Sequence, residues 1–367
     1  MKKKVALALL LLCTAFTTTS TGFASSNTPT LEVSQTPLDY SMVIPESDGN
    51  FHDGLLFAEQ SNGSLVYYNA KGKEAFTLPD YISPVSDFNE QRAMVKNNKT
   101  NLYGFINTKG QLAIPCQYTD AGNFSEGLAH VITADNKSDF LIDRTGKTVT
   151  RLTQKYSSDY HFTYGLALVY NPKGDKIGFI NKKGQLAIPY HYATSRGFYE
   201  GLALVKSSKG MYGYIDTTGK VVIPLQYKSG GDFSEGLAAV QNTKGQWGFI
   251  NKLGKNVIPF RYTDANYFSE GLAAVYNQNG KVGFIDPKGK LVIGYQKYTR
   301  AESFKEGIAL VGVGTNSDGK FGYIDRQGKL LTKLQYLNIS SSFANGYAVA
   351  SKEQGIAFLL TKHLPSK

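Results

Sequence analysis

Cysteine is nearly missing from this chain: two in 367 residues, Cys13 and Cys116. Cys13 lies in a segment expected to be removed, which leaves Cys116 alone and excludes an intrachain disulfide. Stability must then come from packing, and a chain of this length can bury enough surface to supply it. The N-terminal apolar stretch, Val5 to Leu12, is too short to span a bilayer, and no later segment replaces it. No segment holds a sustained helical period. The five histidines (His52, His130, His161, His191 and His363) stand in unrelated contexts, without metal or triad spacing. Phosphate loops, nucleophile elbows and nucleotide fingerprints are absent too, so no cofactor is implied. Acids are outnumbered, 29 against 40 basic residues, for a formal charge of +11. That balance favours anionic partners such as wall polymers, lipid head groups or acidic glycans.

What is present begins with an export signal. Lys2, Lys3 and Lys4 precede the apolar stretch, and Gly22-Phe23-Ala24 places small residues at the −3 and −1 positions of a cleavage site. Residues 1–24 read as a signal peptide, so nucleic acid is not an expected partner. Leu10-Leu11-Leu12-Cys13 offers an alternative, a lipid anchor on Cys13, although that signal wants a small residue where Leu12 stands. Residues 25–40, rich in Ser, Thr and Pro, read as a flexible leader. The array described next fills 41–361, and 362–367 form a tail.

An F-x-x-G segment recurs at Phe51, Phe88, Phe124, Phe162, Phe198, Phe233, Phe268, Phe304 and Phe343, every 35 to 39 residues. Such a period specifies units that cover one another's apolar faces. Each unit reads as three short strands. In the unit of Phe233 these are Leu237-Ala238-Ala239-Val240, Trp247-Gly248-Phe249-Ile250 and Asn256-Val257-Ile258-Pro259. The turn before the third strand is Asn/Asp-x-x-Gly, as in Asn107–Gly110, Asn181–Gly184, Asn251–Gly254 and Asp286–Gly289. Its first side-chain oxygen should bond the backbone N–H two residues on, and its glycine should take a positive φ. Asparagine alternates with aspartate there, so turn chemistry explains the position better than metal binding does. Prolines such as Pro115, Pro189, Pro224 and Pro259 read as ending the third strand. Cys116, where other units place Tyr190, Leu225 and Phe260, reads as a small buried apolar residue.

The fold expected is all-β: about nine tandem three-stranded units in a propeller-like ring, or alternatively an open β-solenoid. Met42-Val43-Ile44-Pro45 reads as a third strand that could complete the C-terminal hairpin and close the ring.

Gly245-Gln246-Trp247-Gly248-Phe249-Ile250-Asn251, Val257-Ile258-Pro259 and Phe268-Ser269-Glu270-Gly271-Leu272-Ala273 resemble the bacterial WG-repeat proteins. The resemblance covers nearly all of the chain beyond the signal. It implies a β-repeat scaffold, often exported or surface-associated, with no shared catalytic residues. The name-giving tryptophan occurs only as Trp247. Tyr103, Ile177, Tyr212, Val282 and Phe321 replace it elsewhere, which points to packing at that position.

Residues that recur in every unit are first of all what each unit needs to fold. Glu126, Glu200, Glu235, Glu270 and Glu306 could pass for catalytic acids, but their regular place before a glycine assigns them to a turn. Lysines in the second turns, notably Lys109, Lys182, Lys183, Lys252 and Lys288, could form a basic rim for a polyanion unless those glutamates neutralise it. Tyr156, Tyr160 and His161, in a stretch that breaks the repeat, are candidates for a local binding loop. The expected function is an exported, non-catalytic scaffold for a cell-envelope polymer or protein partner. A glycan-acting enzyme and a structural spacer are the alternatives.

Overall fold

The computed structural model describes residues 29–34, 38–39, 51–60, 62–135, 138–152, 160–314, 319–337, 341–353 and 356–363. All regular structure among them is β. The strands form eight hydrogen-bonded sheets. The seven-stranded one is two units joined through a shared strand, Leu112–Ala121, so nine units follow one another along the chain.

The sixth unit shows the plan. Ser229–Gly230, Leu237–Gln241, Trp247–Asn251 and Asn256–Tyr262 lie side by side in sequence order, each antiparallel to the next. Three of these strands were legible as a pattern. The additional first strand pairs only two residues, too few to show a period. The proline was misread, because Pro259 lies inside the fourth strand and does not end it. That strand lies on an outer edge and carries a register shift, so a missing N–H donor is tolerated there.

The two middle strands are buried on both faces, which explains their nearly continuous apolar runs. Alternate residues serve opposite neighbours. Ala238 and Val240 pack towards the fifth unit with Tyr214 and Ile223, whereas Leu237 and Ala239 pack towards the seventh with Phe268 and Val275. The repeated phenylalanine is the largest part of each joint. Phe124, Phe233, Phe268 and Phe304 meet Phe105, Tyr214, Phe249 and Phe284 of the preceding unit edge-on, with ring centres 4.9–5.0 Å apart.

The described residues contain nine such core clusters. Nine units in an open row would share only eight. The ninth cluster joins Leu56, Ala58 and Val66 of the first unit to Val349 and Leu359 of the last. Each sheet remains open-edged, and the series of sheets returns to its start by packing.

The N-terminal segment takes part in this junction. Thr30–Val33 pairs with Leu360–His363, and Leu38–Asp39 with Ile356–Ala357, so part of the stretch read as flexible leader is strand. Thr30-Leu31-Glu32-Val33 has the alternation and β-branching of a strand, but its partner lies more than 300 residues away. Met42 to Pro45, read as the closing strand, lies outside the described residues.

The glycine after Trp247 has a steric cause. A Cβ on Gly248 would lie 2.7 Å from the Ile258 carbonyl oxygen, and one on Gly104, Gly178 or Gly213 would lie 2.6 Å from the equivalent oxygen. The shifted fourth strand crosses directly over this position. Gly248→Ala should therefore cost about 1–3 kcal/mol. Gly294→Ala, where a Cβ meets nothing within 4 Å, should be nearly neutral in the same urea titration. Equal losses from both substitutions would refute the steric account.

Candidate functional site

The F-x-E-G segment is a two-residue hairpin. Ser269 and Leu272 exchange backbone hydrogen bonds, while Glu270 (φ 54°) and Gly271 (φ 75°) both lie in the left-handed region. Such a turn prefers Asn-Gly. Holding a glutamate there costs about 1 kcal/mol. The carboxylate explains why it is kept. The Gly307 N–H, in the next unit's turn, donates to Glu270 Oε2 at 2.7 Å. Gly127 donates likewise to Glu90, Gly165 to Glu126, Gly236 to Glu200, Gly271 to Glu235 and Gly346 to Glu306, all at 2.8–3.0 Å. A charge-assisted bond at a carboxylate about one-third exposed contributes about 1 kcal/mol, enough to offset the strain. The turn role expected for these glutamates is therefore found, and it extends across the joint between units.

The second turn lies at the same rim. Its Asx chemistry is as expected: the N–H groups of Lys109, Lys183 and Lys288 donate to Asn107, Asn181 and Asp286 Oδ1 at 2.9 Å. The position just before Lys183, and its equivalent in two other second turns, supplies a cation to the glutamate. Lys182 Nζ lies 3.0 Å from Glu126 Oε2, Lys252 Nζ 3.1 Å from Glu200 Oε2, and Arg326 Nη1 3.6 Å from Glu270 Oε2. Each also donates to that glutamate's carbonyl. The basic rim is thus divided. Lys182 and Lys252 are engaged in joints between units, while Lys109, Lys183 and Lys288 point into solvent.

The candidate loop is divided as well. Tyr156 lies outside the described residues. Tyr160 is fully buried and stacks on His130 at 4.0 Å, so it belongs to the core. His161 is exposed and lines a cavity of about 400 Å³ with Glu90, Glu126 and Tyr164. Cys116 is half-buried and free, and burial pushes its thiol up, away from reactivity. Buried His130, 3.6 Å from Asp139, is held down chiefly by burial, against the pull of Asp139 and Asp120. Among the described residues no cluster of His, Cys, Asp and Glu could hold a metal ion.

A larger cavity, about 620 Å³, was not foreseen. The short first strands of units five to eight and the residues after them surround it: Arg196, Tyr199, Asp232, Tyr267 and Glu302, with Trp247 behind. Four successive sheets can share one cavity only where their edges converge, on the inner side of the circuit. Asp232 is mostly buried and its Oδ1 has no hydrogen-bond partner in the protein, while Oδ2 lies 3.8 Å from Arg196 Nη1. Burial raises the Asp232 pKa above the usual carboxylate value, and Arg196 opposes it.

The family described as WG containing repeat matches residues 103–133, 177–209, 212–244, 247–281, 283–314 and 321–354, more than half of the chain. The chain belongs to the WG-repeat family. No curated protein matches it. Among solved structures, BamB from Moraxella catarrhalis is 14% identical over 76% of this chain and 97% of that one, with a TM-score of 0.43. The WD40 beta propeller domain of Doa1 is 11% identical over 67% and 92%, with a TM-score of 0.33. KlHsv2, with loop 6CD replaced by a Gly-Ser linker, is 8% identical over 81% and 99%, with a TM-score of 0.36. These likenesses concern the fold alone, and the circuit of sheets rests on the chain's own nine clusters.

In this WG-repeat chain Trp247 does more than pack. It is half-buried, touches the core between units six and seven, and also faces the large cavity. The signal that could have pointed there is the irregular stretch before each phenylalanine. Ser195-Arg196-Gly197 and Gly230-Gly231-Asp232 differ between units where the rest repeats.

Glu126 gives the joint a pH dependence. Burial acts to raise its pKa, yet the Lys182 ammonium and the Gly165 and Tyr164 N–H groups together hold it below the ordinary 4.5. A depressed carboxylate contributes stability that is fully present above its unfolded value and lost as pH falls through the folded one. Glu126→Gln should therefore cost about 1 kcal/mol at neutral pH. In urea titrations of both chains, that difference should shrink below pH 4.5. A difference independent of pH would show that the charge plays no part.

Proposed function

We infer that this WG-repeat chain is an exported, non-catalytic scaffold that binds a cell-envelope polymer or a protein partner, and needs no cofactor. The observation that carries this reading is the division of labour among its residues. What repeats is spent on the joints: phenylalanine on the stacks, glycine under the crossing strand, glutamate and the cation after Asn/Asp on the clasps. Non-repeating residues of four successive units gather around a cavity on the inner side. The signal-like residues 1–24 support export. Loss of Lys182 and Lys252 to the clasps leaves the rim a lesser role in binding.

The test is retention of residues 25–367 on purified cell envelopes, eluted with a salt gradient. Retention is expected. Replacing Lys109, Lys183 and Lys288 together by Gln should lower the eluting salt concentration only slightly, whereas Tyr199→Ala with Tyr267→Ala should abolish most retention. Absence of retention at low salt would contradict binding to an envelope component.

A second reading is favoured by one observation. Asp232, whose pKa burial raises, shares the cavity with a second carboxyl, Glu302, and two carboxyls flanking a ligand are the tools of glycoside hydrolysis. In that reading the chain releases reducing ends from envelope glycans, and Asp232→Asn abolishes the release. No release by the unaltered chain excludes it.

A further inference from the structure

The large cavity carries enough chemistry to narrow its ligand, granted the binding role inferred above. Its walls are unsuited to an added peptide strand. Ser229–Gly230, Asp264–Ala265 and Arg300–Ala301 are two residues each, and Thr194–Tyr199 is broken by a register shift, so no edge offers a run of free ladder positions. The walls are equally unsuited to an aliphatic anchor, since the only aliphatic side chains among the lining residues are Ala239 and Ala265.

Aromatic faces and fixed polar groups are what the cavity does present. Tyr199 and Tyr267 are 43% and 48% exposed, about as much as Tyr81, Tyr164 and Tyr295 elsewhere, but these two line the same cavity. Asp232 Oδ1 is a buried acceptor with no donor, a group that proteins seldom leave unsatisfied. Arg196, largely exposed, brings a planar fork of donors beside it. The charges also decide something. Two carboxylates, Asp232 and Glu302, face one guanidinium, so an anionic polymer would be repelled here despite the basic character of the whole chain. The volume lies within the ordinary range for small-ligand sites, roughly 300–1,000 Å³.

We propose that this cavity binds a short stretch of uncharged oligosaccharide, with Tyr199 and Tyr267 as platforms for the sugar faces and Asp232 and Arg196 as hydroxyl partners. Stacking suits the C–H face of a pyranose ring, and a hydroxyl supplies the donor that Asp232 Oδ1 lacks. The inference deepens the scaffold reading by giving its ligand a class and a place.

Trp247 is the only tryptophan in the chain and faces this cavity, so its fluorescence reports occupancy directly. Residues 25–367 are titrated with neutral tetrasaccharides of glucose, N-acetylglucosamine, mannose and galactose. A galacturonic acid tetramer and an oligoproline peptide serve as the charged and peptide alternatives. At least one neutral sugar should give a saturable change in Trp247 emission. Tyr267→Ala and Asp232→Ala should each weaken it ten-fold or more, while both alternatives give none. The unfolding midpoint of each variant shows that the fold is kept.

The proposal is overturned if no neutral sugar saturates the signal or registers heat of binding. It is also overturned if the variants bind as tightly as the parent, or if the peptide or the acidic tetramer saturates the signal instead. Envelope retention measured in parallel separates the two readings. Retention that survives while neutral sugars fail removes the cavity proposal alone. Absence of retention by the unaltered chain removes binding to an envelope component, on which the cavity proposal rests.

Discussion

A carboxylate reaching from one sheet to a backbone N–H of the next is the contact on which the rest of this molecule depends. It gives a glutamate reason to occupy a left-handed turn position that would locally prefer asparagine, and it sets the hairpin turns of adjacent units side by side. The neighbouring phenylalanine is thereby held edge-on to an aromatic ring of the preceding sheet. Strain inside one unit is thus offset by bonding between two. That makes the single unit an improbable folding entity, and the array the real one.

The same dependence accounts for closure. Middle strands buried on both faces need a sheet on either side, and in a row the terminal units would each expose one apolar face. The shared core of the first and last units removes both exposed faces. The clasp is not universal along the circuit. Between units four and five Tyr164 replaces the glutamate, and the second turn of unit five carries Thr217 where Lys182 and Lys252 stand elsewhere. Carboxylate and cation are both missing at this joint, whereas between units six and seven the Gly271 N–H still donates to Glu235 although Pro287 stands where the cation would be. At the joint of units four and five Thr163 Oγ1 accepts a bond from the Phe198 N–H, as Ser125 Oγ does from the Phe162 N–H one joint earlier.

Sequence reading succeeded where a signal was local and failed where partners were distant. Asn107 and its equivalents bond the N–H two residues on because that chemistry is contained within four residues. The destination of the Glu270 carboxylate lies 37 residues away, and only packing brings it there. Lys182 and Lys183 are neighbours in sequence, yet one is tied to Glu126 and the other points into solvent, a distinction set by turn geometry. Thr30 to Val33 looked like leader because composition outweighed a short alternation. The large cavity was hidden for a similar reason, since its residues come from four units and share no motif.

The measurement that tests the central claim most directly is hydrogen exchange at individual glycine amides. In Glu270→Gln, the Gly307 N–H of the following unit should exchange faster, while the Gly271 N–H, held by Glu235, should keep its rate. Unchanged protection at Gly307, or an equal loss at Gly271, would show that the carboxylate acts within its own turn and that the sheets are held by apolar packing alone.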